Sequence, residues 1–199
     1  MPAKPRRRPP FLFRMTLPAV SAILLFICML AFVIVPAFEK AVMNEREAMI
    51  KELTETAWSI LQDLHNEELS GRLSREKAKA LARTATRTLR YGESGKDYFW
   101  VLDEHPRMIA HPYRRDLEGQ DVTDFTDPNG KQLFLEFARL VKKQKSGYVD
   151  YMWQKQDDPS KIVPKLSFVK GFEPWGWIVG TGVYIEDVHH DIQKLTDHI

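Results

Sequence analysis

Residues 97–111 read DYFWVLDEHPRMIAH. Successive side chains on a strand point to opposite faces, so Tyr98, Trp100 and Leu102 share one face while Phe99 and Val101 take the other. Glu104-His105-Pro106 supplies a turn and residues 107–111 a second strand, which makes a hairpin. The pattern continues downstream. Residues 112–126 read as loop, and DPNG (127–130) opens a helix with Asp127 as its cap and Pro128 in its first turn. KQLFLEFARLVKK (131–143) is amphipathic through Leu133, Phe134, Phe137, Leu140 and Val141. After Ser146-Gly147, YVDYMWQ (148–154) alternates as a strand. QDDPS (156–160) is a turn, PKLSFVK (164–170) a strand, GFEPWG (171–176) a turn and WIVGTGVYI (177–185) the last strand. From Glu186 the pattern is helical again.

Upstream, residues 39–69 read as one long helix. Met43, Ile50, Leu53, Ala57, Ile60 and Leu64 form an apolar line, and charges such as Glu45, Lys51 and Glu52 fill the other faces. That line suits packing on its own domain first and on a second protomer as well. Ser70-Gly71 breaks the helix. A second one starts with Ser74 as N-cap and ends near Tyr91-Gly92, its basic residues spread around it as on a solvated face. The expected fold class is α+β: an N-terminal transmembrane helix, a long helix, then a PAS-like five- to six-stranded antiparallel sheet with flanking helices.

The membrane segment rests on residues 15–38, which carry no charge. A helix of that length reaches roughly 36 Å, enough for a hydrocarbon core of about 30 Å. Pro18 and Pro36 fall near its ends, and Lys4, Arg6, Arg7, Arg8 and Arg14 all precede it. By the positive-inside rule residues 1–14 stay in the cytoplasm and everything after Glu39 lies outside. A cleaved signal peptide is the alternative, because Val35 and Ala37 suit cleavage before Phe38. It would make the chain a secreted periplasmic binding protein. The run exceeds the usual 7–15-residue signal core, which favours the anchor.

Net charge is only +2, with the basic tip set against a mildly acidic remainder, so nucleic acid is not an expected partner. The single cysteine, Cys28, lies in the apolar run and excludes an intrachain disulfide and a cysteine-based metal site. His189, His190, Asp187 and Asp191 do not share one helix face, so no metal is expected there. No nucleophile–base pair, HExxH or pair of catalytic carboxylates stands out, so no catalytic residue, no cofactor and no enzyme activity are expected. Trp175-Gly176-Trp177 and Gly180-Thr181-Gly182 read as structural, the glycines permitting close backbone approach.

YFWVLD, then HP, DPNG, GYVDYMW, PKLSFVK and WGWIVGTGVYIEDV, in that order behind a membrane helix, resemble the single Cache (sCache) family. The resemblance covers roughly residues 39–190 in layout and 97–188 in detail. It implies an extracytoplasmic sensor of the kind found in chemoreceptors and sensor histidine kinases, with a pocket for a small organic ligand, often a short carboxylate. The organisation it implies is a cytoplasmic tip (1–14), a membrane helix (15–38), a long helical part (39–92), a sheet domain (93–188) and a final helix (189–199). In the family that helix leads to a second membrane segment and a signalling module. The chain stops at Ile199 within it, which leaves the output open. Expected partners are the small ligand, the membrane and a second copy joined through the N-terminal helices.

A small carboxylate needs a cation or donors and an aromatic lining that excludes water. The candidates are Tyr98, Trp100, His111, Tyr113, Asp150, Tyr151, Lys165 and Phe168. For Tyr98 and Trp100 the alternative is a plain core role. His111 precedes Pro112, which restricts its backbone, and either donates to a ligand or makes a structural hydrogen bond. Tyr113 follows in the loop as a closing residue. Lys165 matches a family lysine associated with ligand contact, the alternative being a side chain that reaches solvent. Asp150 would instead read an amine.

Overall fold

The computed structural model describes residues 11–196. Most of the basic tip, residues 1–10, lies outside them. The chain separates into two compact units, Met1–Val42 and Met43–Ile199. Helix α1 spans Phe11–Met29 and a π-helical turn spans Leu30–Ile34, followed by helix α2 over Val35–Leu69. The π turn sits ahead of Pro36, whose missing N–H removes one ordinary helix bond, and the Val35 N–H reaches back to the Leu30 carbonyl. This run is long and apolar enough to cross a membrane, with a window of mean hydropathy 2.8 that is wholly exposed.

The second unit holds the rest of α2, helix α3 (Arg75–Thr88), strands β1 (Arg90–Tyr91), β2 (Asp97–Asp103) and β3 (Met108–Ala110), and helix α4 (Leu133–Gln144). It continues with strands β4 (Ser146–Lys155), β5 (Asp158–Phe172) and β6 (Trp177–Tyr184), and helix α5 (Ile185–Thr196). The strands form a six-stranded sheet in the order β1-β2-β6-β5-β4, with β3 added to β2. Every pairing is antiparallel. This is the expected α+β layout with six strands.

The sheet is covered on both faces at its centre, so β2 and β6 are buried at nearly every position. On one face Phe99, Val101, Phe172, Trp177 and Val179 pack on Ala57 and Leu61 of α2 and Ala78 and Ala82 of α3. On the other, Tyr98, Trp100, Leu102, Tyr151, Trp153 and Val169 pack on Leu133, Phe134 and Phe137 of α4 and on Val122. Each large side chain buried in this way stabilises the fold by about 1.5–3 kcal/mol.

Several boundaries differ from the sequence reading, each for a local reason. Helix α3 has the expected Ser74 cap, which accepts from the Lys77 N–H, but it ends at Thr88 rather than near Tyr91. Tyr91 is drawn into β1 by pairing with Asp97, and its hydroxyl reaches Thr181 and the Gly182 carbonyl. Helix α4 starts at Leu133, so Asp127 does not cap it. Asp127 instead accepts from the backbone N–H groups of Asn129, Lys131 and Met152, which pins the 127–131 turn to strand β4. Burial pushes its carboxyl upward, yet those backbone bonds hold it below the usual range. Strand β5 begins at Asp158, ahead of the expected Pro164, because the turn needs only Gln156-Asp157. The buried line of α2 is Ile50, Thr54, Ala57 and Leu61, while Leu53, Ile60 and Leu64 are only partly buried. Thr54 is tolerated inside because its hydroxyl donates to the Ile50 carbonyl at 2.7 Å.

Two glycines of β6 shape the second face. A Cβ on Gly180 would stand 2.6 Å from Trp100 Cζ2, and one on Gly182 would stand 2.4 Å from the Leu166 carbonyl oxygen and 2.2 Å from Ser167 Oγ. Gly182→Ala is therefore expected to destabilise the 43–199 unit by about 1–3 kcal/mol, more than Gly180→Ala, since a side chain yields more easily than a paired strand. Urea melts of both variants check the order; equal or reversed losses would contradict this packing.

Candidate functional site

The face that packs on α4 also carries a row of three side chains directly opposite one another. Tyr151 on β4 pairs with Lys165 on β5, and Lys165 pairs with Tyr184 on β6. Tyr98 approaches from β2, and the Lys165 Nζ lies 4.0 Å from the Tyr98 ring centroid and 4.7 Å from that of Tyr184. Lys165 is 1% exposed, and its ammonium forms no ion pair among the described residues. Burial lowers its pKa to about 7, with the Asp97 carboxylate opposing the shift. The sequence places this lysine near a strand end with solvent as an alternative. It is instead mid-strand, on the covered face, with two aromatic faces as its compensation.

His111 follows β3 and is equally buried. Its Nδ1 accepts from the backbone N–H groups of Tyr113 (3.2 Å) and Arg114 (2.9 Å), which leaves the ring proton on Nε2. Burial, reinforced by the charges of Lys165 and Arg114, holds the imidazole well below its ordinary range. It is thus a neutral donor. Its main-chain N–H is anchored on Glu118, which Arg87 of α3 grips at 3.1 and 2.6 Å. The Tyr98 ring meets His111 edge-on at 4.9 Å and Tyr113 at 5.0 Å, and the Tyr113 hydroxyl donates to the Lys96 carbonyl.

Trp100 stacks on Phe137 at 4.8 Å, and Tyr151 bonds Ser167 Oγ at 2.9 Å. Trp100, His111, Leu133, Phe134, Phe137, Tyr151 and Trp153 line a gap too narrow to admit a water molecule. A second cavity of about 130 Å³ reaches Tyr151 and Lys165 past Asn129 and Lys131. Tyr98 Oη and Trp153 Nε1 are buried without a hydrogen-bond partner of ordinary geometry. Orphaned polar atoms of this kind are uncommon in folded proteins, and both belong to this cluster.

Six of the eight predicted residues therefore gather here: Tyr98, Trp100, His111, Tyr113, Tyr151 and Lys165. Phe168 does not. It is one residue out of phase with Lys165 and Ser167, packs edge-on against Tyr148, and offers its carbonyl to Thr54 of α2 on the opposite face. Asp150 does not converge either. Its side chain is 89% exposed, pairs with Lys131 and reaches only the rim of the outer cavity. Trp153 and Tyr184 were missed by the sequence reading. Trp153 follows Tyr151 by two residues and so shares its face. The Gly180, Gly182, Tyr184 alternation would have pointed to the third.

Residues 42–198 match the family described as Single Cache domain 2. The chain is 39% identical over 144 residues to the methyl-accepting chemotaxis protein McpP of Pseudomonas putida, covering 72% of this chain and 26% of McpP. It therefore spans about a quarter to a third of the length of the curated relatives it matches. A solved periplasmic sensor domain of a chemotaxis protein is 43% identical with a TM-score of 0.67, over 72% of this chain and 97% of that one. A structure described as the basis for carboxylic acid recognition by a Cache chemosensory domain is 38% identical with a TM-score of 0.69, over 73% of this chain and 97% of that one. With the family match covering the whole of the sheet unit, the chain belongs to the single Cache domain 2 family of sensor domains.

Proposed function

We propose that this chain is the membrane-anchored, extracytoplasmic ligand-binding part of a receptor, and that it recognises a short monocarboxylate. The observation that carries the reading is the Lys165 ammonium, buried between two tyrosine rings without a carboxylate partner. A buried charge demands compensation, and a ligand carboxylate supplies it in the same step that brings its own charge out of water. Neutral His111 adds a donor from Nε2, and the Tyr98 hydroxyl, whose polar neighbours are Trp153 and Tyr184, lies in the same cluster. One cation suits one carboxylate. The remaining wall of Trp100, Leu133, Phe134 and Phe137 favours a short apolar remainder over a second charge. The void is too tight for a ligand as it stands, so entry requires the 111–132 segment to give way. Asp127 and Glu118 set the hinges of that motion.

Residues 15–38 act as the membrane span in this reading, with the basic tip in the cytoplasm and the sheet unit in the periplasm. The similarity to a carboxylate-recognising Cache domain and to a periplasmic chemotaxis sensor supports it. Binding, without turnover, is the activity.

Thermal shift of the 43–199 unit with acetate, propionate and pyruvate tests the reading. A ligand at 100 times its Kd stabilises by about 2.7 kcal/mol. Lys165→Met is expected to abolish that shift while stabilising the unliganded protein by about 1–4 kcal/mol, because an unpaired buried charge is removed. A carboxylate shift that survives in Lys165→Met would sink the assignment.

The pH dependence has two opposite signs. Lys165 titrates at about 7 in the fold against its usual 10.5, so the unfolded chain holds the extra proton between those values and stability rises with pH across that window. Carboxylate affinity runs the other way. It is full below about pH 7 and falls by about tenfold per unit above it, since only the ammonium binds. Calorimetric titrations at pH 6, 7, 8 and 9 on the order of one unit apart resolve this slope; a flat profile would place the anion elsewhere.

A further inference from the structure

The Lys165 cluster and the C-terminal helix meet at one residue. Tyr184 ends β6, and α5 begins at Ile185. The Tyr184 ring bears on the Lys165 ammonium, while its hydroxyl leaves the cluster and is held by the tip of the β4–β5 hairpin. It accepts from the Gln156 N–H at 2.7 Å and donates to the Gln154 carbonyl at 3.0 Å. Gln156 also donates through Nε2 to Asp97 Oδ1 at 3.3 Å. Asp97 directly precedes Tyr98, the other ring over Lys165. Gln156 thus holds the Tyr184 hydroxyl through its main chain and Asp97, the residue before Tyr98, through its side chain. Gln156 does so at φ +52°, a left-handed conformation that a non-glycine residue keeps only where its surroundings hold it.

The same hairpin holds α5 by charge. Lys155 Nζ meets Asp187 Oδ1 at 2.5 Å and Lys161 Nζ meets Glu186 Oε2 at 2.8 Å, both in the first turn of α5. One turn on, Asp191 pairs with Arg46 of α2 at 2.8 Å. Arg46, Asp97, Lys155, Gln156, Tyr184 and Asp187 all line one groove of about 580 Å³. Asp187 and Asp191 are therefore engaged by cations.

We propose that Gln156 is the positioning residue that couples occupancy of the Lys165 site to the set of α5. The proposal rests on the carboxylate reading given above. An anion that draws the ammonium out from between the two rings frees Tyr184. The hydroxyl of Tyr184 then shifts the hairpin tip, and the Lys155–Asp187 and Arg46–Asp191 pairs rearrange with it. The path is contiguous, and its switching element is the strained tip.

The test uses the full chain in lipid nanodiscs, with Cys28→Ser to remove the native thiol and spin labels on cysteines placed at the exposed positions Asn44 and His189. Acetate is the probe. Binding heat is measured alongside the inter-label distance distribution. The expected result is an acetate-dependent change in the parent protein. Gln156→Gly, which relieves the left-handed strain and deletes the side-chain grip, is expected to keep Kd within about threefold and lose at least half of the change. Lys155→Met, which severs the Asp187 pair and removes an ammonium 6.0 Å from the Tyr184 ring centroid but none of the groups around Lys165 Nζ, is expected to lose at least half of the change as well. Full distance changes in both variants, or none in a parent protein that binds acetate, would overturn the coupling while leaving the binding site intact. A parent protein that takes up no acetate would overturn the site reading, and the coupling with it. The split between affinity and helix response is the readout that a merely structural role would not produce.

Discussion

An ammonium group cannot remain charged inside a protein unless something replaces its water, and Lys165 is fully inside this one. What replaces the water is two tyrosine faces, at 4.0 and 4.7 Å, and a distant carboxylate on Asp97. Each desolvated cation–π contact of this type contributes about 2 kcal/mol, well short of full hydration. The shortfall appears as a pKa near 7. His111 stays neutral chiefly because it is buried, with the Lys165 charge adding to the effect, and Arg114 lies over the Phe125 and Trp153 rings while pairing with Asp116.

The sheet decides which residues share that environment. Because both faces are covered, parity along each strand separates two interiors that do not communicate through side chains. Tyr151, Lys165, Ser167 and Tyr184 fall into one. Tyr148, Phe168 and Phe172 fall into the other, against α2. The glycines of β6 are the complement of this arrangement. Gly180 makes room for Trp100, and Gly182 makes room for Ser167, whose hydroxyl steadies Tyr151. A β-branched residue at either position would fill the space that the aromatic cluster now occupies.

Parity was also what made much of the site legible in the sequence. Strand β2 could be divided into faces by inspection, and Tyr98 and Trp100 share the face that packs on α4. Asp150 and Phe168, which stand apart from the cluster, are each one step out of phase with a residue that faces it, Tyr151 and Ser167. Hydrophobic content does not separate Phe168 from the cluster, because a doubly covered strand is apolar on both sides, whereas Asp150 is charged and exposed. Local chemistry misled where long-range bonds prevailed. DPNG has the composition of a helix start, yet Asp127 is claimed by the Met152 N–H from a strand that comes 25 residues later. Tyr91 looked like a helix end, yet Thr181 and Gly182, far along the chain, hold it in a strand. No local propensity carries that information. Thr54 hid in the α2 seam for a different reason, since its hydroxyl is satisfied within its own helix turn.

Helix α5 is attached by two kinds of contact, the buried Val188 and Ile192 on its inner face and ion pairs along its rim. The ion pairs that hold it involve side chains between 23% and 48% exposed, and partly exposed pairs contribute about 0–1 kcal/mol each. Their sum is small beside the several kcal/mol available from compensating a buried ammonium with a carboxylate. A ligand shifts a conformational balance only by its difference in affinity for the two states. Here that difference arises at Tyr184, because the ring that stabilises Lys165 when no anion is present becomes dispensable once one arrives. Val188 and Ile192 keep α5 packed on the sheet, so the rearrangement falls on the ion pairs at its rim and on the left-handed Gln156.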